Sequence, residues 1–265
     1  MAKSRLIPKL QLYSSAIDPG SLSIVNTVNF GKIIEIGNPV SQAKIYEAQL
    51  ADELILVDLS PSKGKTESDS NQLLETLKAV SREVFLPLTI GGGVKNIADV
   101  AEFLSHGADK VCMNSGAIER PNFISDVAKA FGSQCVVVSI DYKLNAAGLL
   151  EVYSNGGQMP TGLNPISWAK KVEDMGAGEI LLTCIDNDGI QEGLDLSTGK
   201  LVAEELNIPL IISGGCGLAS HFVDGFTIAR ADAVAAGTFF SFRDQNPMQT
   251  RGHIKNAGVN IRTGN

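Results

Sequence analysis

The chain has 265 residues, a formal net charge of −7, and 44% hydrophobic against 19% charged side chains. That balance is ordinary for a globular protein. It excludes a broad nucleic-acid or membrane-surface partner, since either needs a basic footprint, and no apolar run reaches the ~18 residues of a membrane span. The N-terminal MAKSRLIPKLQLYSS carries no apolar stretch of signal-peptide length. The four cysteines, Cys112, Cys135, Cys184 and Cys216, lie in or beside apolar runs without CxxC spacing. No metal, disulfide or cofactor site is therefore expected, and a reduced, cytoplasmic compartment fits.

Short apolar, β-branched runs alternate with longer amphipathic stretches. Strands are predicted over 5–12, 53–59 and 86–90, with a helix over 96–106. A strand over 110–114 and a helix over 122–131 follow, then a strand over 135–141 and a helix over 165–175. The rest reads as a strand over 179–185, a helix over 197–206, and strands over 209–213 and 233–236. Near-continuous apolar runs of this length suit strands covered on both faces, as in a parallel sheet. Eight of them in βα alternation predict an α/β fold, a closed (β/α)8 TIM barrel filling residues 1–265 as one domain; a doubly wound open sheet is the alternative.

An internal repeat favours the barrel. LPLTIGGGVKNIADVAEFLSHGADKV, from Leu86, is echoed about half a chain later by IPLIISGGCGLASHFVDGFTIARADAV, from Ile208. DELILVDLS, from Asp52, has a weaker echo in GEILLTCID, from Gly178. Two half-barrels, each with a glycine turn after its third strand, predict two equivalent anion sites across one mouth. One would comprise Gly91, Gly92, Gly93, Asn114, Ser115 and Gly116; the other Gly189, Gly214, Gly215, Cys216, Gly217, Gly237 and Thr238. Glycine turns leave backbone N–H groups free for phosphate, and two such sites suit a long bis-phosphorylated substrate.

Asp141 ends the fifth strand, where barrels place catalytic groups. Asp58 and Asp186 end the second and sixth, so three carboxylates are expected at the mouth, though each also suits a loop cap. At the opposite strand ends stand Arg5, Glu53, Lys110 and Glu179. Pointing inward, they would form a ring of two cations and two anions. Spacing alone favours the plainer arrangement, separate surface ion pairs, because buried charges are costly. His106, His221 and His253 lack catalytic or metal-ligand spacing, and Trp168 reads as a helix packing residue.

SRLIPKL, FGSQCVVVSID, GAGEILLTCIDNDG and the GGG/GGCG pair together resemble HisF, the cyclase family of imidazole glycerol phosphate synthase, over nearly the whole chain. The resemblance implies a barrel that docks a HisH-like glutaminase on its N-terminal face as a heterodimer. Ammonia would pass along the axis to a mouth where a bis-phosphorylated aminoimidazole-carboxamide ribonucleotide is cleaved to imidazole glycerol phosphate. It also implies that Arg5, Glu53, Lys110 and Glu179 are the ammonia gate, all four kept, and that the glycine sites bind phosphate. The catalytic pair departs from the family. Asp141 remains, but the strand-one aspartate is Gln11, and glutamine cannot exchange protons near neutral pH. The first-loop lysine aligns with Asn26, in a loop longer than the family's, and the arginine of the IDxDG motif is Asn187. An intact conduit with altered chemistry resembles the HisF paralogues of surface-polysaccharide gene sets, which relay ammonia to a separate sugar amidotransferase. A histidine-pathway cyclase and a non-catalytic structural barrel are the alternatives.

Overall fold

The computed structural model describes residues 3–18, 20–60, 67–242 and 245–262. The first loop, 11–27, is thus described except for Pro19, and the expected domain extends beyond the described residues at both ends. Strand β1 (Arg5–Ser14) runs into a hairpin of β2 (Leu22–Val28) and β3 (Lys32–Gly37), followed by α1 (Pro39–Ala48). Strand β4 (Leu54–Asp58) precedes α2 (Glu67–Ser81), and β5 (Leu88–Gly91) precedes α3 (Ile97–Ser105). Strand β6 (Lys110–Met113) leads to α4 (Ser115–Glu119) and α5 (Asn122–Phe131). Strand β7 (Val136–Leu144) carries a second hairpin, β8 (Leu150–Ser154) and β9 (Met159–Pro160), before α6 (Pro165–Asp174). Strand β10 (Glu179–Cys184) precedes α7 (Leu196–Glu205), and β11 (Leu210–Ser213) precedes α8 (Ala219–Thr227). Strand β12 (Ala233–Ala236) leads to α9 (Thr238–Phe242) and α10 (Pro247–Asn256).

Eight strands, β1, β4, β5, β6, β7, β10, β11 and β12, pair in parallel in that order, and β12 returns to β1. The barrel is closed, which rules out the open sheet. Two apolar clusters follow from strand alternation. Leu6, Leu10 and Leu12 of β1 join the large cluster between sheet and helices, whereas Ile7 belongs to an inner cluster with Ile55, Cys112, Val137, Leu181 and Ile211. The odd positions of β1, namely Arg5, Ile7, Lys9 and Gln11, therefore face the barrel interior.

The predicted helices form within one residue of their expected ends, and for α3, α6 and α7 the caps are written in the sequence. Asn96 and Asp99 make a capping box on α3, and Asn164 caps α6 with Pro165 in its first turn. The strand expected from 86 begins instead at Leu88. Pro87 has no N–H for the ladder, and its carbonyl accepts from Leu54 N at 2.9 Å.

The half-barrel repeat is visible in the backbone. Gly92 and Gly214 both take positive φ, 119° and 92°. An added Cβ would lie 2.6 Å from Asp58 O at Gly92 and 2.4 Å from Cys184 O at Gly214. Each glycine thus packs on the end of the second strand of its half-barrel, β4 or β10.

Candidate functional site

At the N-terminal end of the barrel the four charged residues converge. Arg5 pairs with Glu53 at 2.8 Å and with Glu179 at 2.5 Å; Lys110 pairs with the same two carboxylates at 3.0 and 2.7 Å. Both glutamates bridge both cations, so the ring closes. Arg5, Glu53 and Glu179 are buried, and Lys110 is partly exposed. The separate surface pairs favoured by spacing are not what forms. Parallel strands in register carry the four side chains to one level, where only mutual pairing offsets their desolvation. Burial drives Arg5 towards the neutral form, but Glu179 and Glu53 outweigh it and raise its pKa. Burial likewise raises that of Glu53, and Arg5 and Lys110 overturn this, leaving its carboxyl below the usual range.

Beyond the ring lies the inner apolar collar of Ile7, Ile55, Val137, Leu181 and Ile211. Past the collar the interior becomes polar. Lys9, Gln11, Thr183, Asp188 and Ser213 are buried there, with Asp141 partly buried beside them. Ser139 Oγ donates to Asp141 at 3.0 Å and Asn114 Nδ2 at 3.2 Å. Burial nevertheless pushes Asp141 up to about 6, with Lys9 and Ser139 opposing and Asp188 assisting. Gln11 donates to Thr27 Oγ1 at 3.2 Å, and the Thr27 hydroxyl in turn bonds the Asp188 carboxylate. Asp188 is raised by burial, against the charge of Lys9.

Of the three carboxylates expected at the mouth, Asp141 faces inward and Asp186 does not. Asp186 is exposed and accepts from Leu144 N at 3.0 Å, so it caps the loop of the second hairpin. Asp58 is buried and accepts from Ser60 N at 2.8 Å. The acid that comes to the mouth beside Asp141 is Asp188, which the strand-end rule missed because the β10 chain turns sharply first: Asp188 N bonds Ile185 O at 3.1 Å. Lys9 was missed as well. Its signal was the odd-position alternation it shares with Arg5 and Gln11.

The second glycine set comes together. Gly189, Gly214, Gly215, Gly237 and Thr238 line one cavity with Lys9 and Gln11. Gly193 N donates to Gly215 O at 2.8 Å, and His221 Nδ1 accepts from Gly217 N at 3.1 Å, so the one histidine near the mouth braces the turn. Asn187 Nδ2 donates to Gly193 O at 3.0 Å, so this side chain holds the loop. In the first set, Gly91 and Gly92 pack on Cys112 and Asp58, and Gly93 takes φ 73°. There Ser115 Oγ accepts from Asn155 N at 2.9 Å, and Asn114 serves Asp141. Asn26 is buried in β2, paired with Ile34 of β3. The hairpin is pinned where Gly189 meets Thr27 O, and Asn29 N bonds Asp188 O at 2.8 Å.

His106 is half-buried beside α3, His253 is exposed on α10, and Trp168 is buried in α6. All four cysteines are free thiols. Among the described residues no His, Cys, Asp or Glu cluster could hold a metal ion, and no helix is long and apolar enough to cross a membrane.

Fold and site together define a (β/α)8 barrel with a charged ring at one end and a glycine-turned, acid-bearing mouth at the other. Residues 15–245 match the family model described as histidine biosynthesis protein, and the chain belongs to that family as a HisF-like member. It is 52% identical over 264 residues, 99% of either chain, to a protein of Prochlorococcus marinus (strain MIT 9313) named "Putative imidazole glycerol phosphate synthase subunit hisF2".

Proposed function

We propose that this barrel relays ammonia from a glutaminase bound at its N-terminal face to its mouth, with little cyclase activity of its own. The carrying observation is the closed Arg5–Glu53–Lys110–Glu179 ring at one end of an axis whose other end presents Gln11, tied to Thr27, in place of a proton-exchanging acid. On the ring's face an open hollow of about 640 Å³ carries Phe85, 90% exposed, among Lys78, Arg82 and His106. An apolar anchor within a polar rim suits a protein partner. The ammonia would serve amidino- or amino-sugar synthesis for surface polysaccharide, through a separate sugar amidotransferase in the cytoplasm. In this reading Gly91, Gly92, Gly93, Asn114 and Ser115, and Gly189, Gly214, Gly215, Gly237 and Thr238, hold the phosphates of a ligand at the mouth.

One observation favours a second reading, an authentic cyclase. Asp188 shares the Thr27 hydroxyl with Gln11, so a carboxylate stands beside the substituted position. A single assay separates the two. The purified barrel is given ammonium and the bis-phosphorylated aminoimidazole-carboxamide ribonucleotide, and imidazole glycerol phosphate is followed. The relay reading expects slow turnover that Gln11→Asp raises ~10²–10⁴-fold, the usual contribution of an acid–base residue. Wild-type turnover equal to that of an aspartate-bearing homologue would sink it.

A further inference from the structure

Lys9 is a buried charge that neither the ring nor the Asp141 site accounts for. It is 6% exposed, on the inward register of β1 between Ile7 and Gln11. With Gln11, Asp188 and Ser213 it lines a cavity of about 20 Å³, room for one molecule the size of water. Its charge is felt by Cys112 of β6, Asp141 of β7, Asp188 after β10 and Cys216 after β11. Its register on β1 points the side chain into the barrel interior, where it lines that cavity. Among the described residues it forms no direct salt bridge.

A buried cation with no contacting partner is costly, and so are a buried carboxylate, Asp188, and a half-buried one, Asp141, beside a polar cavity. Here each offsets the other. The thiols add no charge: burial pushes Cys112 up to about 12 and Cys216 up as well, so both stay protonated. Without the lysine, the spot would offer two carboxylates, an amide carbonyl and a hydroxyl, a set of oxygens that attracts a small monovalent cation.

We propose that Lys9 is a tethered ammonium filling a monovalent-cation site made by Asp141, Asp188 and Gln11 at the inner end of the mouth. Free ammonium and alkali cations are kept off these carboxylates, while the cavity beside them admits a neutral molecule of ammonia's size. The cation site stands on the buried, inward Lys9 and the cavity it lines with Gln11 and Asp188; its use in passing ammonia and refusing ammonium rests on the relay reading.

The test is to empty the site. Lys9→Ala should melt several degrees higher in ammonium or methylammonium chloride than in choline chloride of equal ionic strength, while the wild type melts alike in both. Adding Asp188→Asn to Lys9→Ala should abolish the difference. Equal melting of Lys9→Ala in the two salts overturns the proposal. Should that variant not fold, Lys9→Gln keeps most of the length and removes the charge, and the carboxyl ¹³C titrations of Asp141 and Asp188 are followed by NMR. They should move up by about one unit, a tenfold change; unmoved titrations overturn it equally. Failure of the ribonucleotide assay to support the relay would leave this salt response intact, and the converse also holds.

Discussion

Asp141 receives hydrogen bonds from Ser139 and Asn114, which favour its charged form, yet its pKa still lies at about 6 because burial outweighs them. An unfolded aspartate titrates near ~3.9. A carboxyl whose folded pKa is raised contributes stability below its unfolded pKa, and loses that contribution as pH rises through the folded value. The window here runs from roughly 4 to just above 6. Asp141→Asn removes the titrating proton and keeps the shape, so it should be neutral or mildly destabilising at acid pH and stabilising, by about 1–2 kcal/mol, at pH 8. Urea midpoints across that range would show it. A variant no more stable than wild type at pH 8 would mean that Lys9 and the two donors already hold the carboxylate comfortably ionised. Legibility at this scale was uneven. Asp141 could be read from its strand end, whereas Asp188 could not, because one tight turn after β10 decides that Asp186 faces solvent and Asp188 the interior.

Among the elements, the glycine turns carry the tightest constraint. Gly215 has φ 113°, and an added Cβ would lie 1.9 Å from Gly193 O, inside a backbone atom that cannot swing away. Gly148 also has positive φ, 74°, but nothing lies within 4 Å of its would-be Cβ. Gly148→Ala should therefore cost only the left-handed conformation, ~1–2 kcal/mol. Gly215→Ala adds overpacking of typically ~1–3 kcal/mol to that cost. Thermal melts of the two variants would separate strain from crowding, and equal melting points would refute the distinction. The repeat that marked these turns was plain in the sequence, because backbone approach this close admits no other residue. The two hairpins were not foreseen. The segment 11–27 has few apolar residues in regular alternation at its start, and it acquires its shape by docking Thr27 and Asn29 on the loop after β10.

For the whole molecule, the question is whether the two ends of the axis work as one path. The ring was written in the sequence as four identities but not as a ring, since inward orientation depends on strands that come together only when the barrel closes. Each glutamate there is held by both ring cations, Glu53 also by Arg262 at 4.0 Å, so deleting one ring cation leaves both carboxylates still paired with the other. Lys110 is the one to remove. It is partly exposed, so its loss uncovers less than loss of Arg5 would and leaves Arg5 bridging Glu53 and Glu179. Breaking a fully buried pair costs ~3–5 kcal/mol; Lys110→Ala should cost less, and the folded barrel should persist with an opened ring. If ammonia enters there, glutamine-driven transfer in the complex with a glutaminase should change and free ammonia should escape to solution. Ammonium supplied from the mouth side should react as before. The readout is the ratio of glutamate formed to nitrogen captured by the acceptor, measured for wild type and variant. A ratio indifferent to Lys110 would make the ring a structural closure of the barrel floor, and would move the entry of ammonia to another part of that face.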